Sequence, residues 1–329
     1  MAETDVLTPE TDAQIAVDSD ARSPRLTVLL PAMLGVDTIP VVIEAWRREM
    51  AQHAFTLLIL CPDPDNPAIP REPGIEVLDV SDKLLHEARA AAVRAAKTPF
   101  VLLAEDHCVP ERGAMKNVLE ALTPDATIFG PIIEPGWRLT PANLAACLIG
   151  YGEWMAPLAS DIGPLPGHNS IVRRDLFLSL EPHLEESLLV CSFAMKKIQD
   201  AEAGGRRLAG WRMRHFDVPG LVENARNFWY VGLSFGAVRT QALPAWQRVG
   251  YSVLFPIAIA RHWARGALQY QRVARENRLG ISTLFAMVPF AVLWGVGEAV
   301  GAIRGLDSVR PYVWRSEVKP AAVPDHALA

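Results

Sequence analysis

The sequence predicts an α/β fold, a Rossmann-like, mostly parallel sheet flanked by helices, followed by C-terminal apolar helices. Three observations predict it. Short, largely apolar runs recur at Leu26–Leu30, Phe55–Cys61, Ile75–Val80 and Phe100–Ala104, as expected of strands buried on both faces. Helix-forming stretches fall between several of them, giving a β-α-β-β-α-β order that implies parallel pairing with helices on the faces. Half of the 329 residues are apolar, enough for one large domain with an appendage or two modest ones.

The elements follow in order. Residues 1–24 are polar, with six acids and no Lys or Arg in the first twenty, and read as a disordered tail. After the first strand, Asp37 and Thr38 can cap a helix with Pro40 in its first turn and Val41 to Met50 as its body. Pro62 stops the second strand, and a proline-rich loop runs over 63–73. An Ala-, Leu- and Arg-rich helix is expected over 82–97, ended by Thr98-Pro99. Further on, helices are expected over 111–122, 143–155 and 184–203, the last stopped by Gly204-Gly205. A strand is expected over 126–133, and a Pro/Gly loop over 164–171 leads into another. In such sheets ligands bind beyond the carboxyl ends of the strands, so Pro31, Asp63 and Glu105 are expected along one rim.

Two late segments are apolar. Val249–Ala260 has the length of a core or interfacial helix. Residues 281–303 carry Glu298 as their one charge, contain Pro289, and are long enough to cross a bilayer core of roughly 30 Å. A buried hairpin is the other reading of the pair. Arg261, Arg265, Arg272, Arg275 and Arg278 lie between them and favour attachment to a membrane surface or bilayer. The expected organisation is therefore a tail (1–24), an α/β domain (25–220), an Arg/aromatic-rich membrane-associating region (221–310) and a second tail (311–329).

A net charge of −5 gives no indication of a nucleic-acid partner. Its distribution says more: residues 206–278 hold twelve Arg against Asp217, Glu223 and Glu276, which points to a charged partner surface. Cys61, Cys108, Cys147 and Cys191 form no CxxC pair, so neither zinc spacing nor a disulfide framework is present and a reducing compartment is expected. The first twenty residues lack an apolar signal-like run. The expected location is the cytoplasmic face of the cell membrane.

The strongest local signal is Glu105-Asp106-His107 at the end of the fourth strand, followed by Cys108-Val109-Pro110. Two hard carboxylates and a borderline imidazole suit Mn²⁺ or Mg²⁺ with positions left open for phosphate oxygens. A second signal is Gly167-His168-Asn169-Ser170-Ile171-Val172-Arg173-Arg174. Gly167 permits close backbone approach, Asn169 can hydrogen-bond sugar hydroxyls, and Arg173 or Arg174 can pair with phosphate. A third is Leu184-Glu185-Glu186, carboxylates able to serve as a general base. A fourth is the aromatic and basic run Arg226-Asn227-Phe228-Trp229-Tyr230 through Arg239. There aromatic rings could stack, and Arg226 or Arg239 could bind diphosphate.

In this order the motifs resemble the family 2 glycosyltransferases, whose domain is of GT-A type. The likeness covers roughly residues 25–240. The acidic triplet and following proline are similar to Glu105–Pro110, the Ala88-Arg89 helix to the helix before that triplet, and Leu29-Leu30-Pro31-Ala32 to the nucleotide-contacting first turn. The resemblance implies an inverting transfer from a nucleoside-diphosphate sugar to a hydroxyl acceptor, lipid-linked or an envelope polysaccharide. It implies nucleotide-sugar contacts at Pro31, Ala32, Asp63, Glu105, Asp106, Gly167, Asn169, Arg226 and Arg239. It implies metal ligation by Asp106 and His107, and a base at Glu186 or Glu185. His215 stands where the family often has a histidine on a late strand; it could be a further metal ligand, with a core histidine as its other reading. Histidine at the third position of the triplet departs from the pattern, and so does the apolar stretch Leu188–Ser192, where another acid belongs. That second departure keeps open a non-catalytic nucleotide-sugar binding or assembly protein on the same fold. An unrelated nucleotidyltransferase is disfavoured, because no Gly-rich, Lys-bearing loop follows the first strand.

Overall fold

The structure, a computed structural model, describes residues 23–137, 140–202, 205–216, 220–277, 280–318 and 323–328. The expected N-terminal tail lies almost wholly outside these residues, and so do Arg278 and the side chain of Arg275. In chain order the elements are β1 (Leu26–Pro31), α1 (Pro40–Met50), β2 (Thr56–Cys61), β3 (Ile75–Asp79), α2 (Leu85–Ala95), β4 (Phe100–Leu103) and β5 (Cys108–Pro110). Then come α3 (Ala114–Ala121), β6 (Ile128–Pro135), α4 (Pro141–Tyr151), β7 (Ile171–Arg173), α5 (Arg174–Leu178), α6 (Leu184–Leu188), α7 (Cys191–Ala201) and β8 (Arg206–His215). The C-terminal part is α8 (Leu221–Arg239), α9 (Ala245–Val253), α10 (Phe255–Asn277), α11 (Ser282–Arg304) and α12 (Leu306–Val313).

The strands form one sheet in the order β3-β2-β1-β4-β7-β6-β8-β5. The β3-β2-β1-β4 half is parallel, as is β6-β8; β7 and β5 run antiparallel to their neighbours. Alternation along β1 explains the layering. Leu26, Val28 and Leu30 join the core under α1, with Leu57, Ile59, Phe100 and Leu102. Leu29 joins the opposite core with Leu58, Leu60, Val101, Leu103 and the Ala88, Ala92 and Val93 face of α2. A two-residue period cannot serve one face alone when both sides are apolar. Each such buried side chain contributes about 1.5–3 kcal/mol. From β1 the chain passes to β2 and β3 and returns to β4 on the other side of β1. The carboxyl ends of β1 and β4 are therefore the switch point at which a cleft opens.

Some elements differ from expectation, and the segment Val249–Ala260, expected as one helix, is divided between α9 and α10 at Leu254. The single helix of 184–203 is two helices, α6 and α7, because Val190 is extended at φ −129°. The break lets Leu188 pack on the sheet while Leu189 and Val190 pack on the late helices. The strand β8 was expected only through the resemblance, which puts His215 on a late strand; in it Trp211, Met213 and His215 alternate as buried residues with the less buried Arg212 and Arg214.

The late helices pack on the α/β layer through α4, whose Leu144, Ala145 and Leu148 share a core with Phe228, Met287, Phe290 and Trp294. At the centre α8 crosses α11 in very close contact. A Cβ on Gly236 would lie 2.0 Å from the Glu298 carbonyl oxygen, and one on Gly301 2.1 Å from that of Leu233. Gly232 and Gly297 complete two Gly-x-x-x-Gly pairs, which let helix backbones approach this way. Among the described residues α11 is the one helix long and apolar enough to cross a membrane, and half of its apolar window is buried inside the protein.

Candidate active site

The site begins where β4 ends. The Ala104 amide still donates to the Leu29 carbonyl (3.0 Å), so Glu105 leaves the sheet at the switch point beside β1. The chain then turns, and β5 pairs antiparallel with β8 so that Cys108 stands opposite His215. That pairing brings His107 against a residue 108 positions later: the two Nε2 atoms are 3.1 Å apart.

Glu105, Asp106, His107 and His215 are all buried. Glu105 Oε2 accepts from Asn169 Nδ2 at 2.6 Å. Its Oε1 lies 3.2 Å from His168 Nδ1. The two other imidazoles are close, with His107 Nε2 at 3.7 Å from Oε1 and His215 Nε2 at 3.5 Å from Oε2. Burial alone would raise the Glu105 pKa. His107, then His168 and His215, outweigh burial and hold the carboxyl well below its usual range. For His168, burial opposes the imidazolium, and Cys191, Glu317 and Glu105 more than offset both burial and the nearby Arg89, so its pKa is raised.

Glu105, His107 and His215 form a group able to hold a metal ion. The 3.1 Å between the two Nε2 atoms is close to the about 3.4 Å expected between tetrahedral ligands at about 2.1 Å from an ion; Glu105 approaches them through different oxygens, Oε2 at 3.5 Å from His215 and Oε1 at 3.7 Å from His107. Asp106 corrects the expected ligand set. Its Oδ1 is 2.5 Å from His107 Nδ1, which places the ring proton there and leaves the Nε2 lone pair for a ligand. Asp106 is thus placed to orient the His107 ring, and Glu105, expected at the nucleotide, stands beside the histidines. Tyr151 packs on the His215 ring, with centroids 4.1 Å apart.

Gly167 closes the next wall, with Asn169 buried behind it. A Cβ on Gly167 would lie 2.6 Å from the Ser192 amide nitrogen, so only glycine lets the N-terminal end of α7 come this close. Asn169 adopts a left-handed φ of 58°, which asparagine tolerates, and its amide donates to the Leu103 carbonyl at 2.6 Å. Its buried Oδ1 has no hydrogen-bond partner among the described residues. Arg89, fully buried on α2, pairs with Glu317 of the C-terminal segment and touches Cys191 Sγ.

These walls enclose a cavity of about 770 Å³. Glu105, Gly167, His168, Ser192 and Glu317 line its sheet side. The late helices supply Phe228, Arg239, Arg261, Arg265 and Trp294. Tyr151 and Trp154 lie between.

Other expected residues fall elsewhere. Pro31 and Ala32 are buried at the end of β1, and Asp63 is exposed past β2; they share the rim but do not line the cavity. Arg226 lies on the surface of α8 over the Tyr230 ring. Arg173 pairs with Asp175, and Arg174 donates to the carbonyls of Val93 and Arg94. Glu185 is bonded to Arg94 at 2.6 Å, and Glu186 is exposed near His183; neither lines the cavity. Glu317, Arg261 and Arg265 were not anticipated as site residues. Their role depends on packing between distant segments, which no local motif reports. His168 could have been found, since it lies inside the Gly167–Asn169 signature.

No family model and no curated protein matches the chain. Solved structures do. One is a mannosyltransferase of Pyrobaculum calidifontis in complex with GDP-Man and Mn²⁺, at TM-score 0.42 and 13% identity over 85% of this chain and 74% of that one. Another is glucosyl-3-phosphoglycerate synthase of Mycobacterium tuberculosis with Mn²⁺, UDP-glucose and phosphoglyceric acid, at 0.37 and 17% over 65% and 79%. A third is TarS of S. aureus, at 0.41 and 11% over 80% and 55%. At these scores the likeness assigns this chain no activity.

Proposed function

We propose that this chain is a metal-dependent glycosyltransferase of the family 2 kind, moving a sugar with inversion from a nucleoside diphosphate to an acceptor oxygen. The observation that carries the reading is the Glu105–His107–His215 group at the carboxyl end of the central strand, with Glu105 opening into a 770 Å³ cavity. A resident cation there would neutralise the diphosphate leaving group. Two imidazoles in the donor set favour Mn²⁺ over Mg²⁺. Asp106 holds the His107 tautomer. Gly167 keeps the α7 N-terminus against the cavity, where its first amides suit a phosphate oxygen, and Asn169 holds Glu105 in place from behind.

The membrane-surface location belongs to the same reading. It is supported by exposed Ile281, Phe285, Val288 and Val292, which share one face at the start of α11. The organisation into an α/β domain and a membrane-facing helical region rests on the same residues.

Glu185 and Glu186 carry no base role here, because both lie outside the cavity. Each carboxylate that lines it is engaged: Glu105 by His168, Glu317 by Arg89, Asp200 by Lys196, and Glu153 at 4.0 Å from Arg207. That observation favours a second reading, a nucleotide-sugar binding protein without turnover. One experiment separates the two. Mn²⁺-dependent binding of GDP- and UDP-sugars is measured by calorimetry, and glycosyl transfer to a lipid extract is followed with labelled donor. Binding with transfer supports the enzyme, binding alone supports the second reading, and no binding of any donor refutes both.

A further inference from the structure

We propose that the arginine wall of the cavity and the groove beyond it bind an anionic lipid, phosphate head on the arginines and hydrocarbon chain in the groove. In calling that lipid the acceptor, the inference rests on the transferase reading above; the binding site does not.

The wall contributed by α8, α10 and α11 presents Arg239, Arg261 and Arg265, and among the described residues none that lines it is acidic. Glu298, buried behind it, offsets part of this charge. It accepts from Arg239 at 2.7 Å and from the Tyr251 hydroxyl at 2.9 Å, with His262 at 2.9 Å and Arg261 at 3.7 Å. Glu153, which lines the same cavity, also attracts Arg265; three guanidinium groups against these two carboxylates leave a cationic wall. Arg265 donates to the Ile149 carbonyl at 3.1 Å and sits 5.8 Å from the centroid of the Trp294 ring. The buried indole N–H of Trp294 has no acceptor among the described residues. Guanidinium forks and an unused N–H donor suit phosphate oxygens.

Arg261 also lines a second groove, of about 150 Å³, with Leu254, Phe255, Ile257, Ala258 and Gly295. This groove is apolar except at Tyr251, Arg261 and Glu298. Leu254 and Ile257 are more than half exposed, so it opens on the outer face that also carries Val249 and Val253. Charge at the inner end and apolar surface at the outer end match an amphiphile with one anionic head. A free phosphate would leave the groove unused.

A phosphate acceptor also accounts for the absence, among the described residues, of an unpaired carboxylate in the cavity. An oxygen lone pair of the phosphomonoester forms the bond to C1 of the donor sugar. The C1–O bond to the nucleoside diphosphate breaks, and its electron pair leaves with the diphosphate. A hydroxyl would need a base to take its proton. A phosphomonoester, whose second pKa is about 6, arrives ionised and needs none. The hydroxyl acceptor expected from the sequence gives way here to a phosphate oxygen.

The test is calorimetric titration of the full chain with dodecyl phosphate below its micelle concentration, against dodecanol and inorganic phosphate, with no sugar donor present. Dodecyl phosphate is expected to bind at least tenfold more tightly than either control. Arg261→Gln and Arg265→Gln should each weaken it about tenfold. Ala258→Trp, filling the groove, should weaken dodecyl phosphate and leave inorganic phosphate unchanged. Equal affinity for dodecanol and dodecyl phosphate, or wild-type affinity in Arg261→Gln, an exposed position that tolerates the change, overturns the inference. If nucleotide sugars bind while dodecyl phosphate does not, the lipid site falls and the transferase reading stands. If the lipid binds and no nucleotide sugar does, the reverse holds.

Discussion

Two glutamates, Glu105 in the sheet layer and Glu298 in the helical layer, are 3% and 1% exposed, and the neighbours of each lower its pKa against the effect of burial. Their partners differ. Glu298 is met by Arg239, a permanent cation, and by Tyr251 and His262, all at hydrogen-bond distance. Glu105 is met by Asn169 and by imidazoles, groups that can lose a proton or bind an ion. A buried carboxylate closed by arginine is a structural anchor. One ringed by histidines keeps a choice of protonation and ligation, as a metal-binding site requires. The first fixes the late helices so that the second can face a formed cavity.

Breaking the anchor should have the largest effect. Glu298→Ala leaves Arg239 facing a buried vacancy and should cost about 3–5 kcal/mol by denaturant unfolding. Glu105→Gln should cost far less stability while abolishing the Mn²⁺-induced rise in melting temperature. A loss of stability equal to that of Glu298→Ala would erase the distinction. Next is the orientation of the ligand: Asp106→Asn should lower Mn²⁺ affinity about 10- to 100-fold with the fold intact by circular dichroism.

Acid sharpens the comparison further. Burial raises the Glu298 pKa, but the His262 hydrogen bond and Arg239 outweigh it, so the folded value lies below the usual 4.5. The stability this group confers is complete above its unfolded pKa and is lost as pH falls through the lower folded value. The stability gap between wild type and Glu298→Gln should therefore shrink as pH drops below about 4.5. Smallest of all is Glu185→Gln, which removes one partly exposed pair with Arg94. It should change stability by less than about 1 kcal/mol and leave turnover unchanged. A hundredfold loss of turnover would return the base role to this glutamate.

The parallel half of the fold was legible because β1, β2 and β4 are local apolar runs whose burial needs no knowledge of partners. The Glu105–His107 cluster was legible for the same reason, since a strand ending in two acids and a histidine is written in consecutive residues. His215, a candidate ligand or core histidine in the sequence, comes beside His107 only through the β5–β8 pairing. The alternation of β8 was disguised by Arg206, Arg207, Arg212 and Arg214 among its ten residues. Glu317 and Arg261 reach the cavity by packing of segments far apart in sequence. The helix break at Val190 likewise answers two separate cores, a demand that helical periodicity within 184–203 does not carry.

The most direct test of the central claim is pulsed electron paramagnetic resonance of Mn²⁺ bound to wild type and to His215→Ala. The account predicts two imidazole nitrogens coupled to the ion in wild type, one in the variant, and a fall in affinity of about 100-fold or more. Coordination by oxygen alone, or identical spectra and affinity in both proteins, would contradict it.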